Sequence, residues 1–194
     1  MYLFFDTETS GLPKNFDADI HDVDNWPRIV QIAWQHYGEY RNKLSEHSYI
    51  IKPDGFVIDE ESIKIHKITQ ERAEKEGVPI RYALQMFAAT LNQTSILVAH
   101  NIPFDAAVVG SELIRADAEK VYDKMSKIRK ICTMRASIQL CKLPGQYGYK
   151  WPTLLELFEK LNPGESVSND LHDASVDVSV MVDCFFKLRE QKIV

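Results

Sequence analysis

The sequence lacks the features that mark a secreted or membrane-spanning protein. It contains only three cysteines, Cys132, Cys141 and Cys184. An odd, widely spaced set of thiols forms neither a disulfide framework nor a paired CxxC metal site. No uncharged apolar run is long enough to cross a bilayer. The first residues place no basic segment ahead of apolar ones, so we expect no secretory signal and a location in the reducing cytoplasm.

Positive charge is also in short supply. Lysine and arginine number 23 against 28 aspartates and glutamates, which gives a formal net charge of −5 at pH 7. A protein that coats duplex nucleic acid depends on excess positive charge, so any polyanionic substrate must be held locally. Glycine and proline number eight each, too few for a fibrous or low-complexity chain. The length and the 45% hydrophobic content predict one globular domain, 1–194.

Hydrophobic periodicity predicts a sheet followed by helices. Apolar runs at 2–5, 29–37 and about 45–51 predict three successive antiparallel strands. Residues 13–27 are polar and acidic, which predicts a long surface loop. A buried fourth strand is predicted at 96–99. Helices are predicted at 58–66, from Thr69, and at 80–91, 104–115, 132–139, 153–160 and about 173–192. This order of elements is typical of an α/β fold with a mixed sheet.

Two acidic residues stand together at the end of the first predicted strand. Asp6 and Glu8 flank Thr7, and side chains two apart in a strand point to the same face. Like charges this close resist ionisation unless a divalent cation lies between them. The pair therefore predicts a metal site, and two solvent-facing acids at a strand end are the alternative.

A third acid, Asp105, follows the buried strand at 96–99. The carboxyl ends of strands in α/β sheets gather ligand-binding groups, which favours a functional role. The alternative is an acid at a helix N-terminus, which the helix dipole stabilises without any function.

The last predicted helix carries two aspartates on one face. Asp173 and Asp177 lie four residues apart, so periodicity leaves open which of them binds a metal. The apolar positions Val176, Val180 and Cys184 would explain the helix as an ordinary amphipathic one.

One histidine stands just ahead of that helix. Histidine takes a proton at neutral pH, and His172 could reach a water bound to a metal held by the helix. A structural histidine is the alternative.

Three segments identify a family. They are residues 4–12 (FFDTETSGL), 100–105 (HNIPFD) and 172–177 (HDASVD). In this order they resemble the DEDDh 3′–5′ exonucleases, the family of the proofreading epsilon subunit of bacterial DNA polymerase III, over roughly residues 1–190. The resemblance implies a ribonuclease H-like fold, with a mixed five-stranded sheet whose first three strands are antiparallel and with helices on both faces.

The resemblance also implies roles for individual residues. The implied catalytic set is Asp6, Glu8, Asp105, His172 and Asp177. Asp6, Glu8 and Asp177 would bind two divalent cations, Mg²⁺ or Mn²⁺, and Asp105 would complete the acidic cluster. His172 would be the general base, because the histidine five residues before the last aspartate marks the histidine branch of the family. Asp177 is thereby favoured over Asp173.

Substrate contacts are predicted as well. Leu12 and His66 look like the family residues that touch the terminal nucleotide, and Phe104 is a candidate to pack against a base, since aromatic faces accept any base. Core packing is the alternative for Leu12 and Phe104. Thr7 and Asn101, within the matched segments, complete the predicted substrate-binding set.

The sequence thus predicts a metal-dependent 3′–5′ exonuclease that hydrolyses single-stranded nucleic acid, DNA favoured, by a two-metal mechanism and releases nucleoside 5′-monophosphates. The expected partners are a single-stranded 3′ end and, for a proofreading subunit, a DNA polymerase complex. The chain ends soon after the last helix, which favours a stand-alone nuclease. An aspartyl-nucleophile phosphatase is an alternative, although that family expects a second aspartate where this chain has Glu8. The other alternative is a non-catalytic nucleic-acid-binding module.

The basic stretch at 120–130 predicts a solvated helix face. The alternative is that this stretch guides a bound strand.

Overall fold

The computed structural model describes residues 1–167 and 172–194. Its central strands are β1 (Tyr2–Thr9), β2 (Ile29–Tyr37), β3 (Lys43–Ile50), β4 (Ile96–Ala99) and β5 (Arg129–Cys132). They form one sheet in the order β3-β2-β1-β4-β5. β1, β2 and β3 pair antiparallel, whereas β4 pairs parallel with β1 and β5 pairs parallel with β4. The predicted mixed five-stranded sheet is confirmed.

The helices and a small hairpin surround this sheet. The helices are α1 (Glu60–His66), α2 (Gln70–Glu76), α3 (Ile80–Leu91), α4 (Ile102–Arg115), α5 (Glu119–Lys127), α6 (Thr133–Ala136), α7 (Ile138–Cys141), α8 (Leu154–Leu161) and α9 (Ala174–Glu190). The hairpin pairs β6 (Pro144–Gly145) with β7 (Gly148–Tyr149). Among the described residues, no helix combines the length and the apolar character that a membrane span requires.

Side-chain alternation along β1 places helices on both faces of the sheet. Phe4 packs on Phe185 of α9, with ring centroids 5.0 Å apart. Phe5 points the other way and packs on Phe87 of α3 at 5.6 Å. Asp6 is two residues beyond Phe4, so the acidic end of β1 continues the row of side chains that faces α9.

The predicted helix at 132–139 is divided into two short helices, and a strand whose position was not predicted precedes them. Residues 129–132 form the edge strand β5, and two short helices, α6 and α7, follow it. An edge strand with two exposed basic residues, Arg129 and Lys130, lacks the apolar run that marks a buried strand. The periodicity of the segment therefore failed to reveal it.

The buried stripe of α9 differs from the predicted one. Val176 and Val180 are only half-buried, whereas Ala174, Val178 and Phe185 are fully buried. The helix packs against both the sheet and α8, so more than one of its faces is covered. A single amphipathic stripe does not account for it.

Residues 13–27 run without helix or strand, as predicted, and are fastened to α4. The Arg115 guanidinium donates to the Trp26 carbonyl at 2.6 Å. The Glu112 carboxylate, 1% exposed, accepts from Arg28 Nε at 2.7 Å and from Arg115 Nη1 at 3.1 Å. Buried charges that are paired in this way hold the loop against the helix.

The basic stretch at 120–130 is divided between two elements. Lys120, Lys124 and Lys127 lie exposed on α5, as predicted, whereas Arg129 and Lys130 lie on β5. Lys130 Nζ donates to the carbonyls of Ser126 at 2.7 Å and of Ile128 at 3.2 Å. A cation beside a helix C-terminus satisfies carbonyls that have no partner within the helix, so Lys130 stabilises the end of α5.

Candidate active site

Three predicted site residues converge where β1 meets the start of α9. Glu8, His172 and Asp177 each offer one potential ligand atom, and these atoms lie within 4.8 Å of one another. Glu8 stands near the end of β1 and Asp177 in the first turn of α9. Residues far apart in the chain therefore meet in one group with the donor types that a metal site uses.

Asp177 has a carboxylate oxygen without a partner among the described residues. Its Oδ2 accepts from the backbone N–H of His172 at 3.3 Å, whereas its Oδ1 is buried and unpartnered. A buried acceptor left in this state costs free energy. A divalent cation would satisfy it, so the residues present fit a metal.

The neighbouring Asp173 is instead committed to the helix terminus. As the residue that caps α9, it accepts from Ser175 N at 2.9 Å and from Ser175 Oγ at 2.5 Å. Burial raises the pKa of Asp173, but the hydrogen bonds from Ser175 and Gln31 outweigh it and bring the pKa below its usual value. The two aspartates that periodicity could not separate thus have different environments, and Asp177 is the one that faces Glu8.

Asp105 is buried at the start of α4 and is held by β1. Its Oδ1 accepts from Thr7 N at 3.1 Å and from Thr7 Oγ1 at 2.8 Å. The Thr7 hydroxyl therefore already has a hydrogen-bond partner within the protein. A part for Thr7 in substrate binding stays a prediction.

Crowding and burial raise the pKa values of the carboxyl groups. The pKa of Asp6 lies well above its usual value because of burial and of repulsion by Asp105, Asp177 and Glu8. Burial and the charge of Asp177 raise the pKa of Glu8 to about 8. Asp6 and Asp105 lie outside the close group of three but within its electrostatic reach. Four acids that repel one another either retain protons or bind a cation. Their carboxylate oxygens are the ligands that Mg²⁺ and Mn²⁺ prefer.

The other two carboxyl groups follow the same pattern. Burial raises the pKa of Asp105 to about 7, against the lowering effect of the Thr7 hydrogen bonds. Burial raises the pKa of Asp177 to about 6, and His172 opposes it.

Two histidines flank the acids. His172 is exposed and adopts a left-handed backbone with φ of 78°, a conformation uncommon outside glycine and found at functional sites. His66 is buried at the end of α1, where its Nδ1 accepts from Ile68 N at 3.1 Å. Its Nε2 has no hydrogen-bond partner among the described residues. Burial lowers the pKa of His66, against the raising effect of the nearby Thr9 backbone, so the ring is neutral and Nε2 carries its proton.

The remaining predicted substrate contacts are accessible. Leu12 is 76% exposed, so the core-packing alternative is wrong for this residue, which lies in the turn after β1. Phe104 packs in part against the main core and in part lines a cleft together with Asn101. Asn101 turns the chain from β4 into α4 with φ of 79°. Their contacts with a substrate stay predictions.

Sequence reasoning missed Gln31, which fixes the start of α9 against the sheet. Its side chain is buried; Oε1 accepts from Ala174 N at 3.1 Å and Nε2 donates to Asp173 Oδ1 at 3.2 Å. Gln35, four residues later on β2, donates to Ser179 Oγ at 2.8 Å. Two amide side chains on the same face of a mostly apolar strand were the available signal.

The comparisons with known proteins agree with this geometry. A family model described as Exonuclease, RNase_T, matches residues 3–185. Escherichia coli exonuclease I in complex with a dT13 oligonucleotide is similar in structure, with a TM-score of 0.75 and 18% identity over 99% of this chain and 42% of that chain. No curated protein sequence matches.

Two further solved structures show the same fold similarity. The zinc-bound form of the E. coli exonuclease I complex with single-stranded DNA gives a TM-score of 0.74 and 18% identity, over 98% of this chain and 40% of that chain. Exonuclease I from Methylocaldum szegediense gives a TM-score of 0.72 and 18% identity, over 98% of this chain and 40% of that chain. The chain therefore spans about two fifths of the length of these proteins, and the predicted fold class is confirmed.

Proposed function

Because the chain belongs to the exonuclease family whose model matches residues 3–185, we propose that it is a metal-dependent 3′–5′ exonuclease acting on single-stranded nucleic acid, with DNA favoured. Family membership confirms the resemblance to the DEDDh exonucleases. The observation that carries the proposal is the convergence of Glu8, His172 and Asp177 within 4.8 Å. The similar exonuclease I structures hold single-stranded DNA or dT13, which supports the choice of substrate.

Asp6, Glu8 and Asp177 would hold two divalent cations, Mg²⁺ or Mn²⁺. When bound, such ions lower the pKa of water and stabilise charge on the leaving oxygen. The unpartnered Oδ1 of Asp177 and the raised pKa of Glu8 support this assignment. Zinc is the ion named for one of the similar structures, but a set of carboxylates suits the harder cations better.

His172 acts as the general base. Its ring removes a proton from the water that attacks the phosphorus atom, the bond from phosphorus to the 3′ oxygen breaks, and that oxygen takes up a proton. The products are a nucleoside 5′-monophosphate and a strand shortened by one nucleotide with a free 3′-hydroxyl. Asp177 stabilises the imidazolium that forms, because its carboxylate lies beside the ring.

Other residues position this group. Thr7 orients Asp105 through two hydrogen bonds, and Gln31 fixes the start of α9, which carries Asp177. We place all of these functions in a single domain, 1–194. Association with a DNA polymerase complex stays a prediction. Family membership disfavours the phosphatase alternative, and the convergence of acids and imidazole disfavours the non-catalytic module.

A single-stranded DNA oligonucleotide labelled at its 5′ end tests the proposal. Incubation with Mn²⁺ should give a ladder of products shortened stepwise from the 3′ end, together with nucleoside 5′-monophosphates, and EDTA should stop the reaction. A protein that removes only a terminal phosphate is a phosphatase, and one that binds the strand without shortening it is a binding module. Either result would overturn the proposal.

A further inference from the structure

An aromatic cleft of about 440 Å³ lies at the start of α4, the helix that carries Asp105. Phe16 and Trp26 of the loop at 13–27 form one wall, Phe104 forms a second, and Trp151 with Arg135 forms a third. These residues come from four separate segments of the chain. Phe104 is a predicted substrate contact, and the other aromatic side chains of the cleft have no assigned role.

The first turn of α4 links the cleft to the acidic site. Phe104 and Asn101 line the cleft, and the buried Asp105 follows Phe104 directly in the same turn. A ligand in the cleft would therefore contact the turn of the helix that carries one of the acids.

His100 fixes the far wall to the sheet. Burial lowers the pKa of His100, so its ring is neutral. The Pro152 carbonyl can only accept a hydrogen bond, so Nε2 donates to it at 3.0 Å and Nδ1 accepts from Thr133 Oγ1 at 3.0 Å. The wall that carries Trp151 is thus tied to the end of β4, the strand that leads to Asp105.

The side chains of the cleft suit a nucleobase with its phosphate. Trp151 is 59% exposed and Phe16 is 61% exposed, which leaves large aromatic faces open to a ligand. The Arg135 guanidinium lies 5.9 Å from the centroid of the Trp151 ring and has no carboxylate partner within the described part of the chain. Bases stack on aromatic faces irrespective of sequence, and arginine binds phosphate.

We propose that this cleft binds a nucleotide of the single strand on the 5′ side of the scissile bond. The inference rests on the proposed function: an enzyme that cuts the last bond leaves one nucleotide on the 3′ side, and the rest of the strand must continue away from the acids. The base stacks on Trp151 and Phe16, and its phosphate meets Arg135. Asp17 also lines the cleft, so stacking contributes more than net charge. Paired bases cannot stack there, so the cleft selects single strands.

The variants Trp151→Ala and Arg135→Ala test the proposal. We compare an oligothymidylate of about 12 nucleotides with thymidine 5′-monophosphate p-nitrophenyl ester, whose single nucleoside fits the acidic site alone. The ratio of kcat/KM for the oligonucleotide to that for the ester should fall by about 5- to 100-fold in Trp151→Ala. This decrease should come from a higher KM for the oligonucleotide, because the variant loses binding that is remote from the reacting bond. Trp151→Phe should recover most of the ratio.

Matched controls lie at the opposite end of the sheet. Tyr40→Ala removes an aromatic side chain that is 93% exposed in the turn after β2, and Arg129→Ala removes an exposed cation at the start of β5. If the cleft variants change the ratio no more than these controls, the proposal is overturned.

Direct binding separates failure of the cleft from failure of the proposed function. The anisotropy of fluorescein-labelled oligothymidylate in EDTA reports binding without cleavage. The Kd should rise by the same factor in Trp151→Ala as the KM does. If the wild-type protein hydrolyses neither substrate but binds the strand with a Kd that rises in Trp151→Ala, the proposed exonuclease activity is wrong and the proposed cleft is supported. If the wild-type protein hydrolyses the ester and the Kd is unchanged in Trp151→Ala, the proposed cleft is wrong and the proposed active site is supported.

Discussion

Two groups of buried carboxylates in this protein differ in how their charge is balanced. Glu112 lies between the guanidinium groups of Arg28 and Arg115 and also accepts from Ile29 N at 3.3 Å. In residues 1–167 and 172–194 the acids around Glu8 have no lysine or arginine partner, and burial together with mutual repulsion raises the pKa of Glu8 to about 8. A paired buried charge holds two segments together, whereas acids without a cationic partner bind a cation or keep a proton. The first group therefore stabilises the fold, and we propose that the second takes part in the reaction.

Removal of Asp6, one of the three acids predicted to bind the ions, should give the largest effect. Asp6→Ala should lower kcat by about 10⁴-fold or more, because metal catalysis supplies several kcal/mol of transition-state stabilisation. The free energy of unfolding of the metal-free protein should rise, since the variant removes a source of repulsion. Rescue of activity by excess Mn²⁺ would show that Asp6 is a secondary ligand.

Removal of His172, the proposed general base, should lower kcat less than removal of Asp6 does. His172→Ala should lower kcat by about 10²–10⁴-fold, as loss of a general base does. Mn²⁺ affinity, measured by calorimetry, should change little, because the carboxylates are intact. Unchanged turnover would remove His172 from the mechanism.

The opposite result is expected in the paired group. Glu112→Gln leaves Arg28 and Arg115 without their anion and should lower the free energy of unfolding by about 3–5 kcal/mol, measured by urea denaturation. Glu76→Gln, which breaks the exposed pair with Arg72 at 2.9 Å, is the control and should cost about 0.5 kcal/mol at most. Equal losses in the two variants would contradict the distinction between the groups.

The pH dependence of stability should show the unpaired group directly. The folded-state pKa values of Glu8, Asp105 and Asp177, at about 8, 7 and 6, lie above the unfolded value of about 4. Between these limits these carboxyl groups hold more protons in the folded state than in the unfolded state. The lowered pKa values of His36, His66 and His100 act in the opposite sense below the usual histidine pKa of about 6.5. The metal-free protein should therefore lose stability as pH rises from about 6.5 to 8.

We expect a loss of about 2 kcal/mol across this range, well below the sum for independent groups because the acids share their protons. Mn²⁺ should abolish the loss, since it replaces those protons. Thermal unfolding at several pH values, with and without the ion, measures both effects. Metal-free stability that rises with pH across this range would contradict the assignment.

The sequence predicted those parts of the fold that long apolar runs define. β2 at 29–37, α3 at 80–91 and β4 at 96–99 were predicted to the residue. β1 extends four residues beyond its predicted end, because Asp6 to Thr9 continue to pair with β2 although they are polar. β5 escaped prediction because half of its residues are basic and exposed. Short polar strands at a sheet edge depend on their neighbours more than on their own sequence.

The candidate site was predictable in identity but not in arrangement. The three motifs named its acids and its histidine and favoured Asp177 over Asp173. The physical difference between the two aspartates came only from the structure, in which Asp173 caps α9 and Asp177 faces Glu8. Gln31 and the aromatic cleft gave no motif. The residues that line the cleft come from distant segments of the chain. Their spacing in the sequence therefore could not predict that they lie close together in the fold.

Calorimetric titration of Mn²⁺ tests the central claim, that acids from distant segments converge to bind cations, most directly. The wild-type protein should bind close to two ions and release protons. Asp177→Asn should weaken this binding strongly, whereas Asp173→Asn, which retains a good helix cap, should bind as the wild type does. Equal binding by the two variants, or no binding by the wild type, would contradict the account.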